Sequence, residues 1–301
     1  MKIASLNKVD LCYEVFGDNN HKTIVLISGL GSQMTRWDDS FCEHLMSFGF
    51  KVIRFDNRDS GASIFNPEKE INFRGDIQQI FATLKKEDIP YSLMDMAEDV
   101  IALLNHLEIQ EAHIIGRSMG GVIAQLLGSY FPERILSITI IMSTSLNPAL
   151  PPSDSEVMAM MTKPPIDPSI DKEGYILEKV AFAKKISGTF PLDEVKEKEI
   201  IEKEIHRSHA SNSVFRQLLA MGSWSYNPED LQKITAPALI IHGTNDLIFH
   251  PDCARDLAQS IPGSELLVIE GMGHSLPSDL YTIVCDRILT TLKLSENKKL
   301  P

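Results

Sequence analysis

Gly116-Arg117-Ser118-Met119-Gly120 sets one serine between two glycines at G-x-S-x-G spacing. The aliphatic run Ala112-His113-Ile114-Ile115 precedes it, and Gly121-Val122-Ile123-Ala124-Gln125-Leu126-Leu127 follows with the look of a helix start. A buried strand turning sharply into a helix would hold that serine in a strained conformation with its hydroxyl exposed. Small residues at 116, 120 and 121 would let the two elements approach closely enough. The helix N-terminus would also put positive dipole where negative charge develops. Alone, the pentapeptide describes a glycine-rich turn with an idle serine equally well, so its partners decide.

A serine hydroxyl attacks when a base takes its proton, and that base needs an acid to orient it. Nine histidines compete for the first role. His274, in Gly271-Met272-Gly273-His274-Ser275, follows the last strand-like run, and two glycines free that backbone to bring the imidazole to a sheet edge. His113 falls inside a predicted buried strand. His21, His44 and His106 fall on predicted surface segments, and His242 and His250 flank the acid's motif. His206 and His209 share i,i+3 spacing without the carboxylates or cysteines of a metal site. For the acid, Asp246 ends Gly243-Thr244-Asn245-Asp246 after the penultimate run Ala238–His242, although an Asx turn is a plainer use of such a pair. Asp252 and Asp256 fall in the helix-like segment beyond. The order Ser118, Asp246, His274 is the one such sites follow. Backbone donors for a tetrahedral intermediate would be the amides of Met119 and of Leu30, in the turn Ser28-Gly29-Leu30-Gly31.

The elements that must position these groups are legible as short aliphatic runs: Thr23–Ser28, Lys51–Asp56, Ala112–Gly116, Ile135–Ser143, Ala238–His242 and Glu265–Ile269. Such runs suit strands of a parallel sheet buried on both faces. Residues 2–16 alternate loosely, which predicts an antiparallel hairpin at a sheet edge. Leu93–Leu107 carries an apolar stripe at helical spacing. Strand and helix signals in alternation predict an open α/β sheet covered on both faces. From about Leu146 to Ala236 no strand-like run occurs. The reading is therefore a core of 1–145 plus 236–301, interrupted by a mostly helical insertion at 146–235. Within the insertion, Glu194 to Arg207 is predicted as a solvated helix face, with Glu194–Lys198 and Glu199–Lys203 at i,i+4.

The chain has 301 residues, with 29 basic against 41 acidic side chains and a formal net charge of −12. An acidic balance argues against nucleic acid as a partner. The longest apolar runs fall far short of the ~20 residues of a membrane helix, and residues 1–8 lack a signal-peptide stretch, so no membrane association and a cytoplasmic location are expected. Cys12, Cys42, Cys253 and Cys285 are scattered, which predicts reduced thiols and no zinc site.

Five segments together are specific for a fold: Ser28-Gly29-Leu30-Gly31, Asp56-Asn57-Arg58-Asp59-Ser60-Gly61-Ala62-Ser63, Gly116-Arg117-Ser118-Met119-Gly120-Gly121, His242-Gly243-Thr244-Asn245-Asp246 and Gly271-Met272-Gly273-His274. On them the chain resembles an α/β-hydrolase-fold serine esterase over essentially its full length. With Trp37-Asp38, Val52 to Gly61 and the insertion's length, it is most similar to the aclacinomycin methylesterase-like group. The resemblance implies a carboxylic-ester hydrolase with a helical cap, a Ser118–Asp246–His274 triad, and Leu30 and Met119 as oxyanion donors. Many relatives carry His-Gly where this chain has Ser28-Gly29, and arginine at 117 is unusual for the group. The loop Asp56–Ser63 is read as structural.

The expected reaction is hydrolysis of a small or medium apolar ester through an acyl-enzyme, with no metal or organic cofactor. The alternatives are a lactonase or thioesterase of the same fold, or a non-turnover ligand-binding receptor with a retained triad. A dehalogenase or epoxide hydrolase would need aspartate at 118, and a proline aminopeptidase a His-Gly-Gly-Pro motif at 28–31. Gly29, Trp37, Arg117, Met221 and Trp224 are the candidate substrate contacts, with Met158, Met160, Met161, Phe182 and Phe190 as further apolar lining. Arg117 is expected to pair with a nearby acid. The expected partner is a small-molecule ester, and the expected assembly a monomer or homodimer.

Overall fold

Runs of isoleucine, valine and leucine, branched and apolar to either side, build the strands at the centre of this computed structural model, which describes residues 1–6, 8–18, 21–67, 85–164, 166–207 and 213–297. The strands are β1 (Lys2–Ser5), β2 (Val9–Phe16), β3 (Thr23–Ile27), β4 (Lys51–Phe55), β5 (Ile64–Phe65), β6 (Ala112–Arg117), β7 (Ile135–Ile141), β8 (Ala238–Gly243) and β9 (Glu265–Ile269). They form one sheet in the order β1-β2-β4-β3-β6-β7-β8-β9, with β5 added to β2. The predicted hairpin over 2–16 is β1–β2, Ile3 opposite Cys12, and it meets β4 antiparallel. From β4 to β9 every pairing is parallel. All six predicted runs are strands, but β9 is an edge, and its Val268 is 40% exposed.

Because successive side chains alternate, each central strand feeds two cores. Val25 and Ile27 pack on one face with Ile114 and Ile138, while Ile24 and Leu26 pack on the other with Ile115 and Ile141. The first face is covered by α2 (Leu93–His106) and α3 (Met119–Tyr130), and the second by α1 (Asp39–Ser47) and a long C-terminal helix, Tyr281–Asn297. Ser92 and Asp95 start α2 as a reciprocal capping box, which fixes its register beside the sheet.

Between β7 and β8 the described residues hold helices and no strand: α4 (Ser155–Thr162), α5 (Lys172–Ile186), α6 (Glu194–Arg207), α7 (Ser213–Gly222) and α8 (Pro228–Gln232). After β8 come α9 (Asp252–Ser260) and, last, α10 (Tyr281–Asn297). The charged run expected as a solvated face is α6: Glu194, Lys196, Lys198, Glu199, Glu202 and Lys203 are exposed as expected, while Glu197, Glu204 and Arg207 turn inward onto the core. Arg36 binds Glu197 and Glu204 at 2.6 Å each, Arg207 binds Asp56 at 2.9 Å, and Lys196 binds Asp38 at 3.0 Å. Lys184 takes Glu194 and Lys172 approaches Glu202, so these two glutamates, like Glu197 and Glu204, find partners off their own helix. Hydropathy periodicity could not show this, because both the inner and the outer face of α6 are charged. From α7, Arg216 grips Asp59 with Nε at 2.7 Å and Nη2 at 2.6 Å.

The four cysteines are free and buried. Among the described residues no helix is long and apolar enough to cross a membrane, and no group of three or more His, Cys, Asp or Glu could hold a metal. His209 lies outside the described residues.

Candidate active site

Ser118 is the residue between β6 and α3, and its backbone sits at φ 54°, ψ −125°. A non-glycine residue there costs of order 1–3 kcal/mol, tolerated when the surroundings over-determine it. They do so here. Ser118 N donates to Ile141 O at 3.0 Å, and Ser118 O accepts from Gly121 N at 2.8 Å and Ser143 Oγ at 2.7 Å. The glycines are required by contact: a Cβ on Gly116 would lie 2.0 Å from Gly120 O, and one on Gly120 2.2 Å from Ile27 O. The Ser118 side chain makes no cap bond to its own helix.

Asp246 follows β8, and its carboxylate is fully enclosed. Oδ1 accepts from Ile248 N at 2.8 Å and Phe249 N at 2.9 Å, and Oδ2 accepts from His274 Nδ1 at 2.8 Å. The Asx turn and the candidate acid are thus one arrangement: one oxygen closes the turn and the other holds the histidine. Desolvation works to raise the carboxyl, but the charge and hydrogen bond of His274, helped by His242 and by Phe249 N–H, outweigh it and hold Asp246 below its usual value. His274 is braced by Phe249, ring to ring at 5.5 Å, and by its own N–H, which donates to Ile186 O at 2.7 Å at the end of α5.

His242 adds a second imidazole to the acid. Its Nε2 lies 2.9 Å from Phe249 O and 3.4 Å from Asp246 Oδ2. Burial is the main influence on it and lowers its pKa despite Asp246, which keeps the ring neutral at pH 7. The structure therefore joins Asp246 and His274 directly. Between His274 and Ser118 it closes no hydrogen bond.

The turn after β3 lies against the serine: a Cβ on Gly29 would sit 3.0 Å from Ser118 Cβ and 3.4 Å from Oγ. Asn57 Nδ2 holds Ser28 O at 3.0 Å. Leu30, half-buried, sits between that glycine and Gly31, whose N–H donates to Gln217 Oε1 on α7 at 2.7 Å. Met119 opens α3, and its side chain is wholly buried, so its backbone amide is what it could offer a ligand. Gln217 escaped the sequence reading because nothing local distinguishes a glutamine in a helix.

The remaining candidates divide. Arg117 finds no acid: among the described residues its guanidinium donates to Arg36 O at 3.1 Å and lies 4.9 Å over the Trp37 ring. Desolvation, with the Arg36 charge adding to it, pulls its pKa down to about 10. The expected acid pair is corrected by position, since the nearby glutamates are taken by Arg36. Trp37 is also corrected. At 1% exposure, stacked on Phe41 at 5.3 Å, it is core and offers no wall to a substrate. Met221 and Trp224 are half-buried and pack against the cluster that Leu30 also joins. Phe182 and Met161 pack instead with Val157, Ile186 and Ile248 as a small core of their own. His113 is a core histidine, bonded to Ser137 Oγ at 2.8 Å. The loop after β4 is structural as expected: Arg58 pairs with Asp99 at 2.7 Å, and Asp56 accepts from Met34 N and Ala62 N.

The sequence family described as serine aminopeptidase, S33, matches residues 18–280. Rhodomycin D methylesterase DnrP of Streptomyces peucetius is 30% identical over 297 residues, covering 92% of each chain. Among solved structures, the enol-lactonase from Burkholderia xenovorans LB400 aligns with a TM-score of 0.70 at 20% identity, covering 97% of this chain and 100% of that one. A hydrolase from Pseudomonas aeruginosa PA01 aligns with 0.69 at 21% identity, covering 97% of both.

Proposed function

Since the chain belongs to the serine aminopeptidase S33 family and has the α/β-hydrolase fold, we propose that it is a carboxylic-ester hydrolase working through Ser118, His274 and Asp246. The observation that carries this reading is the enclosed Asp246–His274 bond of 2.8 Å, whose carboxylate is bracketed by two backbone amides. An acid so fixed keeps the proton on Nδ1, which leaves Nε2 as the base. His274 takes the Ser118 proton as Oγ attacks the ester carbonyl. The tetrahedral oxyanion forms against the amides of Leu30 and Met119, the second of them at a helix N-terminus. Collapse expels the alcohol, which takes its proton from His274. Water activated by the same imidazole then releases the acid.

The segment 146–235 acts as a cap over the strand ends, with half-buried Met221 and Trp224 contributing apolar lining for a small or medium substrate. The methylesterase relative supports an ester over a peptide bond. Ser28-Gly29-Leu30-Gly31 also lacks the His-Gly-Gly-Pro expected of a proline aminopeptidase.

The test is turnover of p-nitrophenyl esters of increasing acyl length beside Ser118→Ala. Sustained release that disappears in the variant, with an alkyl phosphonate attached at Ser118, is the expected result. A single stoichiometric burst or no release would reject ester turnover.

A further inference from the structure

Gln217 is 0% exposed, yet it is polar and lies on α7, outside the sheet and its loops. Three hydrogen bonds account for it, and all three cross to the core. Oε1 accepts from Gly31 N at 2.7 Å, while Nε2 donates to Arg58 O at 2.7 Å and to Ser60 Oγ at 2.9 Å. The amide orientation is therefore unambiguous, because a backbone N–H requires the oxygen and a backbone carbonyl requires the nitrogen.

What it holds is the peptide next to a catalytic donor. Gly31 N–H belongs to the Leu30–Gly31 peptide, so aiming it at Gln217 restricts the Leu30 backbone, whose own N–H is the oxyanion donor proposed above. On its other side the same turn rests on Ser118 through Gly29. Gly31 has φ +63°, and a Cβ there would meet Val214 Cγ2, on the same cap helix, at 2.9 Å. The turn is thus clamped between the nucleophile's elbow and α7, and α7 is itself anchored one residue earlier by Arg216 on Asp59.

We propose that Gln217 is a positioning residue for the oxyanion hole: its side-chain oxygen, delivered from the cap, fixes the turn that presents the Leu30 amide. This rests on the reading of Leu30 as a donor. A donor that must sit about 3 Å from the developing charge loses most of its value when its peptide can rotate.

The experiment compares Gln217→Met, which keeps the reach and loses every hydrogen bond, with Gln217→Glu, which, protonated in so buried a site facing the Arg58 carbonyl, keeps an acceptor for Gly31 N–H and a hydroxyl donor for Arg58 O. Oxyanion stabilisation acts in the transition state, so Gln217→Met is expected to lower kcat and kcat/KM together by about 10- to 100-fold with KM unchanged. That is short of the roughly 10²–10³ for deleting a donor outright. Preference for an ester over its thionoester, whose sulfur fits the hole poorly, should fall in parallel. Gln217→Glu should recover most of both losses. Independently of any substrate, amide hydrogen exchange across residues 28–33 should accelerate in Gln217→Met and return toward wild type in Gln217→Glu. A Met variant that lowers only the melting temperature, or a Glu variant as slow as the Met variant, would overturn the proposal, as would unchanged exchange at 28–33. Wild-type protein that turns over no ester while exchange behaves as expected would sink the esterase reading and leave the positioning role standing.

Discussion

Replacing Arg216 by methionine keeps the apolar stem and strands a buried charge. Asp59 is 2% exposed and sits at φ 64°, and both its oxygens are taken by the Arg216 guanidinium. Without it, Tyr91 Oη at 2.8 Å is the carboxylate's remaining side-chain donor among the described residues. Breaking a buried pair from one side costs about 3–5 kcal/mol, because the surviving charge has neither partner nor water. Asp59→Asn should cost less, about 1–3 kcal/mol, since Arg216 is nearer the surface, its side chain 14% exposed. The double variant replaces two charges by neutral groups of similar volume and should lie within about 1–2 kcal/mol of wild type. Urea unfolding at pH 7, followed by circular dichroism and by tryptophan fluorescence with coincident transitions, gives the four free energies of the cycle. At about 2–4 °C per kcal/mol the single Arg216 variant should melt on the order of 10 °C lower. An Arg216→Met cost under about 1 kcal/mol would refute the burial argument. So would a double variant that equals the sum of the two singles.

Three further outcomes follow from the site. Asp246→Asn retains acceptors for Ile248 and Phe249 N–H but presents an N–H to His274, forcing the wrong tautomer; kcat should fall about 10⁴-fold with the far-ultraviolet spectrum unchanged. Because the folded Asp246 carboxyl titrates below its usual value, its contribution to stability is complete above the unfolded pKa of about 4 and is lost as pH falls through the lower folded value. The gap in unfolding free energy between wild type and Asp246→Asn should accordingly narrow between about pH 5 and pH 3, and a gap that widens there would contradict the sign. Arg117→Met removes a guanidinium whose pKa is pulled down to about 10 by desolvation and by Arg36, so it should stabilise the fold by about 1–3 kcal/mol in urea titrations; a loss of that size would mean that the Trp37 stacking and the bond to Arg36 O outweigh the desolvation.

The strands were legible because their signal is local. Side chains such as Ile114, Ile115, Ile138 and Ile140 are buried whichever face they take, so unbroken aliphatic runs report the parallel sheet without knowledge of its order. The glycines around Ser118 were legible for a similar reason, since steric demand at a strand-to-helix turn is set within a few residues. Legibility stops where a segment lands on something distant. Glu197, Glu204 and Arg207 read as solvent-facing because a charged helix over a charged loop has no apolar stripe. Arg117 is expected to pair with a nearby acid, but Arg36 takes Glu197 and Glu204, and partner competition of that kind is a property of three-dimensional neighbours. Gln217 left no trace, because its role depends on where α7 descends and not on its own surroundings in the chain.

The stretch separating β7 from β8 also sets a schedule for the chain. Ile138 pairs with Ala238, so these neighbouring strands close a loop of roughly a hundred residues, where a plain strand–helix–strand crossover closes about thirty. Loop-closure entropy grows only logarithmically, and the longer detour adds about 1 kcal/mol. Time is the larger consequence. At about 5–20 residues per second, a ribosome needs roughly 5–20 s to deliver β8 after β7 has emerged. Throughout that interval Ile135–Ile141, seven residues of which five are leucine or isoleucine, keeps one ladder edge unpaired. The nascent chain is therefore most open to wrong pairing, or to capture by a chaperone, while the stretch between these two strands is being made.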